Sequence, residues 1–470
     1  MKIEQIYTGC LAQGAYYIES DGEAAIIDPL RETEPYLERV RDDKATIKYI
    51  FETHFHADFV SGHIDLARKS GATIVYGPTA KTEYQVHVAQ DGEIFNLGKI
   101  KIKALHTPGH TLESTTYLLF DESGKEHAIF SGDTLFIGDV GRPDLAVKSN
   151  LSQEDLAGLL FDSLREKIMP LSNEVIVYPA HGAGSACGKN MSKETWDTLG
   201  NQKIVNYALR SEMTKSEFIK EVTTGIAPPP QYFAKNAIMN KTGYAAIEEV
   251  LTTGSTPLNS EAFEEIVNKE NALVLDTRSA EEFAAAHIPN SIFIGIDGNF
   301  APWVGALITD LKQAIVFIAP SGREEEVVLR LSRVGYDHTM GFLQGGIDAW
   351  IKDGKEVAGI NSISAEEFSE KLAQEKLDIL DVRKPAEYLS EHLPDAMNMP
   401  LDYINTRMSD LKRNKEYYLH CAGGYRSMIF ASILQARGFD KLVNINGGFA
   451  AIKKAGAAVT DYVCPSTITE

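Results

Sequence analysis

The segment Thr53-His54-Phe55-His56-Ala57-Asp58 places two imidazoles and a carboxylate at every second position, just where an apolar run ends. Donors so spaced at the mouth of a strand can converge on one point, as a divalent cation requires. Three further strand-like runs end in the same manner. KIKALH leads into Pro108-Gly109-His110, AIFSGD carries Asp133 ahead of Thr134, and EVIVYPAH closes on His181. A single histidine at a strand end is ordinarily a loop residue bonded to backbone. Four donor-bearing ends in one α/β region point instead to a metal site.

A second chemistry lies near the C-terminus, in His420-Cys421-Ala422-Gly423-Gly424-Tyr425-Arg426-Ser427, between the strand-like EYYL and the helix-like MIFASILQARG. A cysteine at that junction has its sulfur ringed by the amides of a Gly424-containing loop and by a helix N-terminus, with Arg426 close by. All of these favour thiolate over thiol. Each unit of pKa depression is worth about 1.4 kcal/mol, so a shift of roughly two units turns a few per cent of thiolate at neutral pH into a majority. The same amides can stabilise a persulfide anion. Cys421 is therefore a candidate sulfur nucleophile and carrier, and the inert buried cysteine that is the ordinary alternative fits poorly between glycines.

These residues need elements to hold them. Up to about residue 190, short apolar runs alternate with polar helix-like stretches, an α/β pattern. AAIID (24–28), IKYIFE (47–52), KIKALH (101–106), AIFSGD (128–133) and EVIVYPAH (174–181) read as strands. From Asn201 to about Ser255 a helical stretch, the run Pro228-Pro229-Pro230 and a polar segment follow, which puts a first domain at 1–255. Beyond it lies a repeat. Asp276-Thr277-Arg278, Glu282-Phe283 and His287-Ile288-Pro289 recur as Asp381-Val382-Arg383, Glu387-Tyr388 and His392-Leu393-Pro394, each 381 − 276 = 105 residues later. Gly345-Gly346 recurs as Gly447-Gly448. Two doubly wound α/β domains are expected, at 256–360 and 361–470. The first copy reads Ala319-Pro320-Ser321-Gly322-Arg323 where the second has its cysteine loop, and Ser321 has no adjacent base that would make it a substitute nucleophile.

THFHAD, TPGH, GDT and PAHG, in this order, resemble the metallo-β-lactamase superfamily, whose fold is an αββα sandwich. The dinuclear zinc hydrolases of that superfamily, glyoxalase II among them, carry a second histidine directly after the aspartate of the first motif; Phe59 stands there in this chain. Phenylalanine cannot bind a cation, so a mononuclear centre is expected. His54, His110 and Asp133 then form a two-histidine, one-carboxylate set with open positions, suited to non-haem Fe(II) and O2. The persulfide dioxygenases of the superfamily use the equivalent positions. The resemblance implies one Fe(II) per chain, with Zn as the alternative, and gives His56, Asp58 and His181 to the surroundings of the metal rather than to its ligands. Asp139-Val-Gly-Arg142-Pro-Asp144 and PPPQYF (228–233) also look like persulfide dioxygenase features. Two roles fit Arg142: holding a substrate carboxylate, or ordering its loop by an ion pair with Asp144. Cys187 is either a sulfur relay beside the iron or a small buried residue. The loop around Cys421, with Gly424 and Arg426, is similar to the rhodanese family, in which the loop cysteine cycles through a persulfide; the 256–360 copy reads as a degenerate rhodanese.

The implied activity is oxidation of a low-molecular-weight thiol persulfide by O2 to sulfite and free thiol, coupled to sulfur transfer involving thiosulfate at Cys421. The alternatives are a zinc thioester hydrolase and a sulfur-trafficking scaffold. With 46 basic against 66 acidic residues the chain carries a formal charge of −20, which disfavours nucleic acid and anionic membrane as partners. No apolar run approaches a membrane span, and MKIEQIYTGC lacks a signal-peptide core. Four cysteines, of which Cys10 and Cys464 read as bystanders, are too few for a disulfide framework and suit a cytoplasmic setting. A homo-oligomer, dimer or tetramer, is expected.

Overall fold

The computed structural model describes residues 1–146, 151–226 and 228–464. The chain forms two compact units, one of Met1–Ile247 with the short segment Leu331–Gly335, the other of Glu248–Arg330 with the chain from Tyr336 onward.

In the first unit, two six-stranded sheets stack face to face. One contains Lys2–Thr8, Gln13–Ser20, Glu23–Ile27, Thr46–Phe51, Thr73–Tyr76 and His87–Val88, in that order. The other runs Asp197–Thr198, Ile176–Pro179, Glu126–Gly132, Thr115–Phe120, Ile100–His106, Ile94–Leu97. Between them lies a core of Tyr16, Ile27, Phe51 and Val75 against Phe95, Tyr117 and Phe130. The outer face of the first sheet buries Tyr17, Ile26 and Ile50 under Tyr36 and Leu66 of the helices Glu34–Asp42 and His63–Ser70. Leu118, Ile129 and Val177 of the second are covered by Leu160 and Phe218, from Gln153–Ser163 and Lys215–Thr223. Strands covered on both faces have no polar side to show, which is why Gln13–Ser20 is buried almost throughout. This is the αββα sandwich. Glu126–Gly132 pairs parallel with Ile176–Pro179, and two antiparallel steps through Thr115–Phe120 return Ile100–His106 to the same direction. The loops that follow these three strands therefore gather at one end of the sandwich.

The second unit holds two five-stranded parallel sheets of identical topology. Their strand orders are Pro257–Leu258, Thr339–Leu343, Ile315–Ile318, Leu273–Asp276, Ile292–Phe293, and Asn361–Ile363, Leu442–Ile445, Tyr417–His420, Ile379–Asp381, Met397–Asn398. The repeated motifs are scaffold. Arg278 Nη2 donates to Asp276 at 2.6 Å and to the Ala286 carbonyl at 2.8 Å; Arg383 repeats both bonds at the same distances to Asp381 and Glu391. His287 and His392 each stack 3.8 Å over the aromatic ring four residues earlier, Phe283 and Tyr388. Among the described residues no helix is long and apolar enough to cross a membrane.

A candidate metal centre and a cysteine loop

His54, His56 and Asp58 follow the strand Thr46–Phe51, His110 follows Ile100–His106, Asp133 follows Glu126–Gly132 and His181 follows Ile176–Pro179; all six side chains are buried. The donor atoms of His54, His110 and Asp133 lie within 4.8 Å of one another. The hydrogen bonds around them decide which ring nitrogens are free. Thr53 Oγ1 donates to Asp28 Oδ2 at 2.8 Å, so its oxygen is left to accept from His54 Nδ1 at 3.0 Å. His110 Nδ1 donates to the Arg142 carbonyl at 2.8 Å. Each ring, when neutral, then carries its proton on Nδ1 and turns Nε2 as a lone-pair donor toward Asp133 Oδ2, at 3.8 and 3.4 Å. Asp133 Oδ2 is buried and accepts no hydrogen bond. Three lone pairs facing one another in a site closed to water repel unless a cation lies between them, so these residues fit a bound metal. Burial, with His56 beside it, holds the His54 imidazole well below its usual pKa and keeps it neutral. Burial alone would raise the Asp133 carboxyl, but His181, which donates to its other oxygen, outweighs burial and keeps the group ionised.

His181 sits between two carboxylates. Its Nδ1 donates to Asp133 Oδ1 at 2.8 Å and its Nε2 lies 2.8 Å from Asp58 Oδ2. Burial works against the imidazolium, yet Asp133 and Asp58 raise the His181 pKa well above the usual value. Cys187 joins this group, its sulfur within 4.8 Å of Asp58 and His181 donors, and burial followed by Asp58 and Asp133 pushes its thiol well above the ordinary range. His56 turns elsewhere: its Nε2 is 3.1 Å from Asp28 Oδ1 and 3.6 Å from Glu52 Oε2, and its ring packs 4.3 Å from Phe59. Arg142 donates through Nε and Nη2 to Asp144 at 2.6 and 2.7 Å and through Nη1 to the Ala186 carbonyl. Its guanidinium ties the loop carrying Cys187 to the loop that orients His110.

Three supporting residues escaped the sequence reading. Asp28 accepts from both Thr53 N and Thr53 Oγ1 at 2.8 Å, Glu52 accepts from Ser61 Oγ at 2.6 Å, and Asn240 donates to the His56 and Phe59 carbonyls at 2.8 Å while accepting from Ser61 N. Asn240 lies on the helix Phe233–Thr242 that follows PPPQYF, and its burial shows only in the fold.

In the last repeat, Cys421 follows the strand Tyr417–His420 and is buried, at the N-terminal side of the helix Tyr425–Ala436. Gly424 N donates to its sulfur at 3.1 Å. The Cys421 carbonyl accepts from Phe449 N at 2.7 Å, an approach that only glycine at 448 permits, since a Cβ there would stand 2.5 Å from that oxygen. Arg426 is gripped fork-on by Glu387, at 2.6 and 2.8 Å, and Glu387 first, with Cys421 after it, raises its pKa, so its charge still acts on the sulfur as expected. A carboxylate lies within its reach, and two parallel charge-assisted bonds give the fork its best partner. In the other repeat, Asp276 pairs with Ile318 as Asp381 pairs with His420. Counted from these partners, Ala319 stands where Cys421 does, Glu324 where Arg426 does, and exposed Ser321 lies two residues further on.

The sandwich and its histidine-aspartate cluster define a metallo-β-lactamase fold, and the two parallel sheets define a rhodanese pair. The chain belongs to the metallo-beta-lactamase superfamily, matched over residues 8–181, and carries two rhodanese-like domains, matched over 259–353 and 364–455. The crystal structure of a metallo-beta-lactamase from Staphylococcus aureus subsp. aureus COL is 33% identical with a TM-score of 0.63, over 73% of this chain and 98% of that one. A probable hydroxyacylglutathione hydrolase of Schizosaccharomyces pombe is 32% identical over 166 residues, 35% of this chain and 60% of that protein. The human mitochondrial persulfide dioxygenase ETHE1 is 29% identical over 212 residues, 44% of this chain and 74% of that protein. The chain thus spans less than two thirds of the first of these curated relatives.

Proposed function

We propose that this chain oxidises a low-molecular-weight thiol persulfide (glutathione, coenzyme A or a similar thiol) with O2, and that Cys421 passes sulfane sulfur between persulfide, sulfite and thiosulfate. The observation that carries the first half is the convergence of His54 Nε2, His110 Nε2 and Asp133 Oδ2 with Phe59 buried beside His56. One Fe(II) held by these three residues would supply Lewis acidity and redox reactivity toward sulfur and O2, whereas Zn would supply only the former. Persulfide, dioxygen and one water balance to thiol and sulfite. The chain's own groups prepare the site. Thr53 and the Arg142 carbonyl lock the two ring tautomers, His181 holds a proton against Asp133 Oδ1, and Cys187 keeps its proton within reach of Asp58. A buried thiol that holds its proton supports the structural reading of Cys187 over the sulfur relay. A substrate carboxylate at Arg142 would share the guanidinium with Asp144.

At the second site, the Cys421 sulfur attacks the outer sulfur of thiosulfate. The S–S bond breaks, sulfite leaves with its electron pair, and a cysteine persulfide remains; sulfite attack on that persulfide runs the step backwards. Ala319 in the degenerate repeat removes the nucleophile altogether.

Fe(II) loading without air, followed by O2 consumption with a thiol persulfide, tests the proposal. Wild type consumes O2, Asp133→Ala does not, and Cys421→Ser consumes it while sulfite accumulates in place of thiosulfate. A second reading, a zinc thioester hydrolase, is favoured by the hydroxyacylglutathione hydrolase among the relatives. Two zinc ions per chain and no persulfide-dependent O2 uptake would select it.

A further inference from the structure

We propose that the repeat lacking a cysteine serves as a clamp on the Cys421 loop, acting through Tyr425 as a positioning residue for sulfur transfer. The inference rests on Cys421 being the sulfur carrier. Tyr425 is the first residue of the helix Tyr425–Ala436 and the direct neighbour of Gly424, whose N–H reaches the sulfur. Its side chain leaves its own repeat. The phenol donates to the Gly295 carbonyl at 2.7 Å, and the ring meets Phe293 edge-on at 5.9 Å. The socket is cut to fit: a Cβ at Gly298 would fall 2.3 to 2.6 Å from the Tyr425 ring, so only glycine leaves room for it.

Behind the socket the two repeats are fastened by polar bonds in the same helix. Phe293 N donates to Ser432 Oγ at 3.0 Å, and His287 Nε2 meets Gln435 Oε1 at 2.8 Å. The helix is buried from Ser427 to Leu434, as expected of one enclosed on all sides. The degenerate copy supplies the pocket but has no plug of its own, for its residue at the matching position is Arg323, bound to Glu326 and Asp297. A cleft of about 470 Å³ opens where the loop meets the socket, lined by Gly423, Gly424 and Tyr425 on one side and Ser279, Phe293 and Asp297 on the other. The repeat without a nucleophile thus presents a surface shaped around the loop of the one that has it. Tethering the residue next to Gly424 fixes the amide that faces the sulfur.

The test uses the full chain with Tyr425→Phe, Gly298→Ala and, as a control for loosened packing away from the socket, Phe263→Leu in the core of the degenerate repeat. Single-turnover uptake of one sulfur atom at Cys421 from thiosulfate is followed by intact mass, and hydrogen exchange is read over the 421–426 loop. Tyr425→Phe should slow the maximal rate about tenfold, the loss expected for one net hydrogen bond, with the thiosulfate concentration at half-maximal rate unchanged. Gly298→Ala, which forces the ring out, should cost roughly 100-fold, as for a misplaced reacting group. Both should raise loop exchange, while Phe263→Leu lowers melting temperature and leaves rate and loop exchange as they are. The clamp is refuted if Tyr425→Phe and Gly298→Ala keep the wild-type rate and exchange, or if all three variants lose rate in step with their melting temperatures. If wild type takes up no sulfur at Cys421, the carrier reading falls, and loop exchange alone then decides the clamp.

Discussion

Phe59→His would restore a cation ligand at the position where this chain has an aromatic ring. Phe59 is fully buried, packed 4.3 Å from the His56 ring and 6.4 Å from that of His181. An imidazole in its place joins Asp58 and His181, whose donors already lie together with Cys187 within 4.8 Å. Exchanging a buried phenyl for a polar ring costs the metal-free protein about 2 to 3 kcal/mol. Zinc at about 100 times its dissociation constant returns about 2.7 kcal/mol to a protein that binds it only when folded. The two magnitudes are comparable. The variant without metal should therefore melt well below wild type, and zinc should close most of that gap. Elemental analysis should find one metal per wild-type chain and two per variant chain. Phe59→Leu supplies the control, losing ring packing with no recovery by zinc. The reasoning fails if wild type already saturates with two metals, or if Phe59→His still takes one.

Acid stability offers another check. Burial, with His56 and Arg31 nearby, drives the His63 imidazole down to about 3. Between that value and the ordinary 6.5 the unfolded chain binds a proton that the folded one refuses, so this group's contribution is full above 6.5 and is lost as pH falls toward 3. The slope is about 1.4 kcal/mol per pH unit, so His63→Gln should cut the loss of stability between pH 6.5 and pH 5 by about 2 kcal/mol, read from urea midpoints; equal losses would refute it. Arg426→Lys gives up the fork on Glu387. Both side chains are partly exposed, so stability should change by less than about 1 kcal/mol, while sulfur transfer falls roughly tenfold as the loop loses its two-point anchor. Unchanged turnover with thiosulfate would remove Arg426 from the site.

What the chain discloses in one dimension depends on how far apart the cooperating atoms lie. His54, His110, Asp133 and His181 could be found because each follows an apolar run, and strand ends in an α/β fold are where loops and ligands gather. The repeat was readable for a similar reason: the Asp276–Arg278 and Asp381–Arg383 pairs close over two residues, and the His287 and His392 stacks over four. Asn240 was not readable in this way, and Asp28, although it ends the apolar run AAIID, gave no sign of its partner. Asp28 acts on Thr53 from another strand, and Asn240 acts on His56 and Phe59 from a helix some 180 positions on, with no local signature beyond a polar residue in an apolar setting. The partner of Arg426 was hidden likewise, since proximity in sequence to Cys421 says less than the carboxylate that Glu387 brings from a different helix. Tyr425 makes the same point most sharply. Its neighbours in the chain belong to the cysteine loop, while the atoms that hold it, the Gly295 carbonyl and the bare face of Gly298, belong to the other repeat. A glycine kept for want of space leaves no trace in hydropathy or charge, and that close contact gives a domain without a nucleophile a physical reason to retain its shape.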